Sequence, residues 1–185
     1  MPNPNTDTLI GLMSALLSTA GRTMEDQRVL AGAGFSVSTS VVAVAAGSDL
    51  NAILSNPAGS GVNLLMTSRI LASNMANGAT VAEYIRYASG ATMPAGTPTV
   101  VTPGNRLSGG PTTGARLSWL MAANPLVGTA TSSGFIPSGG ARLELKESVI
   151  IAPGMSLCYS IGGAGGGLAA ASRLAMTFLF TQEPI

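Results

Sequence analysis

Arg173-Leu174-Ala175-Met176-Thr177-Phe178-Leu179-Phe180-Thr181 decides the fold class. Leu174, Met176, Phe178 and Phe180 fall on one side of an extended chain, and Arg173, Ala175, Thr177 and Leu179 on the other. This two-residue period is the mark of a β-strand with one face in a core, because successive side chains of a strand point to opposite faces. Phe35-Ser36-Val37-Ser38-Thr39-Ser40-Val41 alternates in the same way, with Phe35, Val37, Thr39 and Val41 on one face and serines on the other. Further strands are expected over 62–72, 80–89, 116–122, 143–151, 155–161 and 174–181.

No helix long enough to connect parallel strands separates these segments, so the sheets are expected to be antiparallel. The reading is all-β: an antiparallel jelly roll or β-sandwich with a short N-terminal helical arm. Residues 34–185 form the sandwich. Residues 1–33 form the arm, in which Thr6 or Asp7 caps a helix that stops at Gly21. Leu9, Leu12, Met13, Leu16, Leu17 and Ala20 recur at helical spacing and give that helix an apolar face. Such a helix is marginal alone and needs its own domain or a neighbour to pack on.

Composition then narrows the function. The 185 residues include 24 glycines and 11 prolines, are 46% hydrophobic and only 9% charged, and carry a net charge of +1. Ordinary soluble domains are about 25% charged. A nearly neutral surface favours association, so a homo-oligomer is expected. The eight arginines (22, 28, 69, 86, 106, 116, 142 and 173) are dispersed and Lys146 is the only lysine, so no concentrated basic patch for nucleic acid is expected. The run 9–17 is too short to span a bilayer, which takes roughly 20 apolar residues. No basic residue precedes it, so neither membrane insertion nor export by a conventional signal is expected. Cys158 is the only cysteine and reads as a buried free thiol.

Catalysis is not expected either. The chain has no histidine, which removes the usual general base and the Ser-His-Asp and Cys-His arrangements. A serine–lysine dyad would need Lys146, but Arg142, Glu144, Lys146 and Ser148 alternate onto one face and read as a solvated strand side. Paired carboxylates remain the surviving enzyme class. The acids are Asp7, Glu25, Asp26, Asp49, Glu83, Glu144, Glu147 and Glu183, and of these Glu147 shares a face with Leu143, Leu145 and Val149. No acidic cluster points to calcium, and Gly162–Gly167 lacks the lysine of a phosphate loop. No cofactor and no metal are expected.

Two long Gly/Pro-rich stretches, 90–115 and 124–140, read as loops that function or a partner orders. Within 80–89, Tyr84 and Arg86 share a face, and both residue types are favoured at interface hot spots. Together with Leu9, Leu12, Met13, Leu16 and Leu17 they form the candidate subunit interface. Trp119, between Leu117 and Met121, reads as core.

Two turns carry a family resemblance. Leu54-Ser55-Asn56-Pro57-Ala58-Gly59-Ser60-Gly61-Val62-Asn63-Leu64 is strand, tight turn, strand, and Val149-Ile150-Ile151-Ala152-Pro153-Gly154-Met155-Ser156-Leu157 repeats that logic. With the closing strand that runs into Gln182-Glu183-Pro184, these resemble jelly-roll structural proteins of tailed-bacteriophage particles, especially head decoration or cement proteins and related fibre and tail modules. The resemblance implies a trimer seated on an icosahedral shell with the major capsid protein as partner. The location it implies is the capsid surface of the virion, after assembly in the host cytoplasm. The alternative within the same resemblance is a fibre module that recognises a host surface glycan.

Overall fold

The alternation at 174–181 becomes the middle of a long strand, β12 (Ser172–Pro184), and Leu174, Met176, Phe178 and Phe180 are all buried. Each such side chain contributes roughly 1.5–3 kcal/mol by leaving water. The computed structural model describes residues 23–75, 79–86, 93–123, 126, 132–136, 139–162, 168 and 170–185. The other strands are β1 (Gly34–Ser38), β2 (Val42–Val44), β3 (Asp49–Ser55), β4 (Val62–Met75), β5 (Ala79–Arg86) and β6 (Thr99–Val101). They continue with β7 (Gly104–Asn105), β8 (Arg116–Ala122), β9 (Ser132–Ile136), β10 (Gly139–Ile151) and β11 (Ser156–Gly162).

All named strand pairs are antiparallel and form two sheets. Sheet 1 runs β10-β4-β12-β1-β7, with β2 also on β12; sheet 2 runs β6-β8-β3-β11-β5-β9. The pairs β1·β12, β3·β11, β4·β10 and β5·β9 are nested, the first strand with the last and so inward. An antiparallel ribbon rolled into two facing sheets has this order, so the sandwich is a jelly roll, with the β6·β8 pair added beside β3.

The core lies between the sheets. Tyr159 of β11 stacks on Phe178 of β12 with ring centroids 5.5 Å apart, and Phe35 stacks on Phe180 at 5.6 Å within sheet 1. Arg69 is buried here too, its guanidinium 4.1 Å from the centre of the Tyr159 ring. A desolvated cation over an aromatic face is worth about 2 kcal/mol, which offsets part of the cost of burying the charge.

The first alternating segment breaks earlier than its pattern predicts. Phe35, Val37 and Thr39 are buried, but Val41 is 71% exposed. Ser40 adopts a left-handed conformation (φ 65°), which jogs the chain and turns Val42 and Val44 inward instead. Thr39 spans the jog: its N–H donates to Met176 O (2.9 Å) and its Oγ1 accepts from Met176 N–H (3.0 Å). Trp119 is half-buried against the core rather than inside it. The stretch 90–115 contains β6 and β7, and 124–140 contains β9, so neither is simply a loop.

Strand β1 begins at Gly34. The apolar residues Leu9, Leu12, Met13, Leu16 and Leu17 lie outside the described residues. Just before β1 sits a helix the sequence reading does not anticipate, α1 (Met24–Leu30). Thr23 Oγ1 accepts from Asp26 N–H (3.2 Å), and Asp26 Oδ2 accepts from Thr23 N–H (3.0 Å), which closes a capping box. The helix buries none of its residues and is held by its charges. Glu25 pairs with Arg106 and accepts from Thr67 Oγ1 (3.1 Å), and Arg28 pairs with Glu183. Gly34 lets the chain return beneath it, since a Cβ there would lie 2.4 Å from Val29 Cγ2.

Candidate interaction surface

The two turns that carry the family resemblance, nearly a hundred residues apart in sequence, meet at one residue. Asn56 N–H donates to Met155 O (3.0 Å), and Gly154 N–H donates to Asn56 O (2.8 Å). The buried side chain of Asn56 donates from Nδ2 to both Val62 O and Ile151 O, each at 2.8 Å. An amide has two N–H donors, and here each closes one of the two turns by which the chain crosses between the sheets. The sequence reading singled out both turns but not this link.

The outer faces of the two sheets differ. Over β3 and β11 that of sheet 2 is covered by the chain itself, since Ile53 and Cys158 pack with Leu126 and Met93 in a second buried cluster, while Val100 of β6 on the same side is 59% exposed. Asp49, Asn51 and Ser160 on the same side are also buried. Gly162 makes room for Asp49, because a Cβ there would fall 1.4 Å from its Oδ1. Tyr84 and Arg86 stand in β5 opposite Cys158 and Ser156, which assigns both positions to this outer side; their side chains lie outside the described residues.

Among the described residues the outer face of sheet 1 keeps part of its surface exposed. Leu65, Thr67, Ile70 and Ala72 of β4 and Ala175, Thr177 and Leu179 of β12 are only half-buried. Ile150 of β10, opposite Leu65, is 59% exposed. Helix α1 covers one end of this face through the Glu25–Thr67 bond. At the other end Arg142 and Arg173 flank a shallow depression of about 360 Å3 floored by Ala72 and Ala175. A neighbouring depression of about 410 Å3 is lined by Ala43, Ala45, Asn74 and Ser172.

Beyond α1 the charged groups are sparse. Arg142, Glu144, Lys146 and Ser148 are exposed on β10, as the alternation predicts. Lys146 Nζ lies 3.1 Å from Glu144 Oε1. The bond from Lys146 and its charge, helped by Ser68 Oγ (3.2 Å), hold the Glu144 carboxyl below its usual value. The side chain of Glu147 lies outside the described residues. Among the described residues no three His, Cys, Asp or Glu side chains are grouped to hold a metal, and no helix is long and apolar enough to cross a membrane. Family models, curated proteins and solved structures were compared with the chain, and none matches.

Proposed function

We propose that the chain is a structural protein of a phage particle: a capsid decoration, or cement, protein that stabilises the head by bridging capsid subunits. The observation that carries this reading is the contrast between the faces of the jelly roll. The middle of one outer face is covered by the chain's own residues, and the other presents, among the described residues, a broad, nearly neutral sheet of Leu, Ile, Ala and Thr. Surface of that kind is suited to burial against protein, and contiguous apolar patches on soluble chains commonly mark interaction sites. With 9% charged residues the chain has little else to keep it apart from its neighbours. In this role no side chain reacts. The protein acts by area: standard stable interfaces bury about 1,600 Å2 in total, and a homotrimer bridging the major capsid protein would bury several such patches.

The test is to mix the purified full chain with heads of the phage that carries its gene. Saturable co-sedimentation and a higher temperature of head disruption are expected. No binding, with no change in head stability, contradicts the proposal. The depression between Arg142 and Arg173 favours one second reading, a fibre module that binds an acidic glycan on the host surface. A glycan array separates the two, since specific binding lost in Arg142→Ala and Arg173→Ala supports the fibre reading.

A further inference from the structure

Strand β10 ends sheet 1. It pairs with β4 along one edge, and among the described residues no strand pairs with the other. At 13 residues, with a register shift only between Lys146 and Val149, it is long for an edge strand, and such edges are templates for pairing with another chain. Residues from both of its faces are exposed, Leu143 at 36% and Glu144 with 43% of its side chain, and among the described residues no strand covers this edge.

Charges usually protect an edge, but here their order is selective. If two copies of β10 meet antiparallel about position 145, that position faces itself, and the strand's register shift between Lys146 and Val149 limits direct opposition to the residues around it. Glu144 of each copy then stands opposite Lys146 of the other. Opposite charges directly across a strand pair are favourable, and like charges are not. Moving the centre one residue to Glu144 sets Glu144 against Glu144 and Arg142 against Lys146. Moving it to Lys146 sets Lys146 against itself. A centre at Leu143 matches Arg142 to Glu144 but leaves Ser148–Ile151 unpaired.

We propose that β10 is a self-pairing edge, along which two copies of this chain join sheet 1 to sheet 1 about a two-fold axis at position 145. The contact goes beyond the capsid role, because it needs only a second copy. A trimer carries three such edges, so the same pairing links one trimer to the next. The interface is isologous, as a two-fold requires, and closes after two copies.

Cysteine cross-linking reads the register. Directly opposed residues of an antiparallel pair have Cα atoms about 4.5–5.5 Å apart, within the roughly 4.4–6.8 Å that a disulfide spans. Under mild oxidation Leu145→Cys is expected to give a disulfide-linked pair. Leu143→Cys is not, because its two copies would be offset by four residues, about 13 Å. Cys158 is fully buried, and the unsubstituted chain under the same oxidant is the control. No link from folded Leu145→Cys, or an equal or stronger link from Leu143→Cys, overturns the proposal. A second arm is independent of any cysteine. Glu144→Lys and Lys146→Glu, each setting two like-charge pairs across the axis, are expected to weaken self-association on the order of tenfold, and the double exchange to restore it. Equal association in all four proteins refutes the pairing.

Discussion

Replacing Asn56 by alanine removes two side-chain hydrogen bonds, one closing its own turn between the sheets and one tying that turn to the other. The Ile151 carbonyl is left buried without its side-chain donor, which costs about 1–3 kcal/mol. The Val62 carbonyl loses less, because Ser60 Oγ also donates to it at 3.1 Å. Part of the loss is returned, since Asn56 Oδ1 is itself buried with no hydrogen-bond partner, and the substitution removes it. The net expectation is a destabilisation of about 2 kcal/mol. For a domain of this size that lowers the melting temperature by about 4–8 °C. Urea unfolding followed by fluorescence, with Trp119 as reporter, measures it directly as a lower midpoint at unchanged slope. Ser60→Ala is the matched control and should cost less than about 1 kcal/mol. A loss below about 0.5 kcal/mol for Asn56→Ala, or one no larger than the control's, would refute the assignment of Asn56 as the link between the turns.

Three further outcomes follow from the same geometry. Gly34→Ala places a Cβ against Val29, so α1 should lift from sheet 1 and limited proteolysis should cut ahead of β1 while the sandwich persists; unchanged protection contradicts the close approach. Arg69→Ala should destabilise by about 2–4 kcal/mol through the lost stacking on Tyr159 and the cavity, and Arg69→Met, which keeps most of the volume, by clearly less; equal losses would show that packing is not the issue. Glu144 has its pKa lowered by Lys146, so its stabilising pair is present above the unfolded carboxylate value and lost as pH falls through the folded one. A carbon-detected titration should find its midpoint below 4.5 and returned toward 4.5 in Lys146→Ala; a midpoint at or above 4.5 in the unsubstituted chain denies the pair.

The parts of the fold legible in the sequence are those with one wet face. β12 and the charged side of β10 show a period of two because one side meets the core and the other meets water. β3 shows no such period: Asp49 to Leu54 are all buried, since Leu50, Ala52 and Leu54 face the main core and Ile53 packs under Met93 and Leu126. A strand covered on both faces has no pattern to read, and only its neighbours reveal it. The short β6 and β7 are set by pairing rather than by their own residues. Val41 was misplaced because a left-handed serine, which no local pattern announces, reverses the face. The Pro-Gly turns were visible as words, but their meeting at Asn56 is a tertiary fact. The open face of sheet 1 was equally hidden, because alternation marks a face as outward without telling whether anything covers it.

The claim that holds the account together is that this surface is made for contact with other protein subunits. Light scattering of the purified full chain over a wide concentration range tests it most directly. The account predicts an assembly of at least three times the 18.4 kDa chain mass that persists on dilution. A single species of 18.4 kDa at every concentration would contradict it.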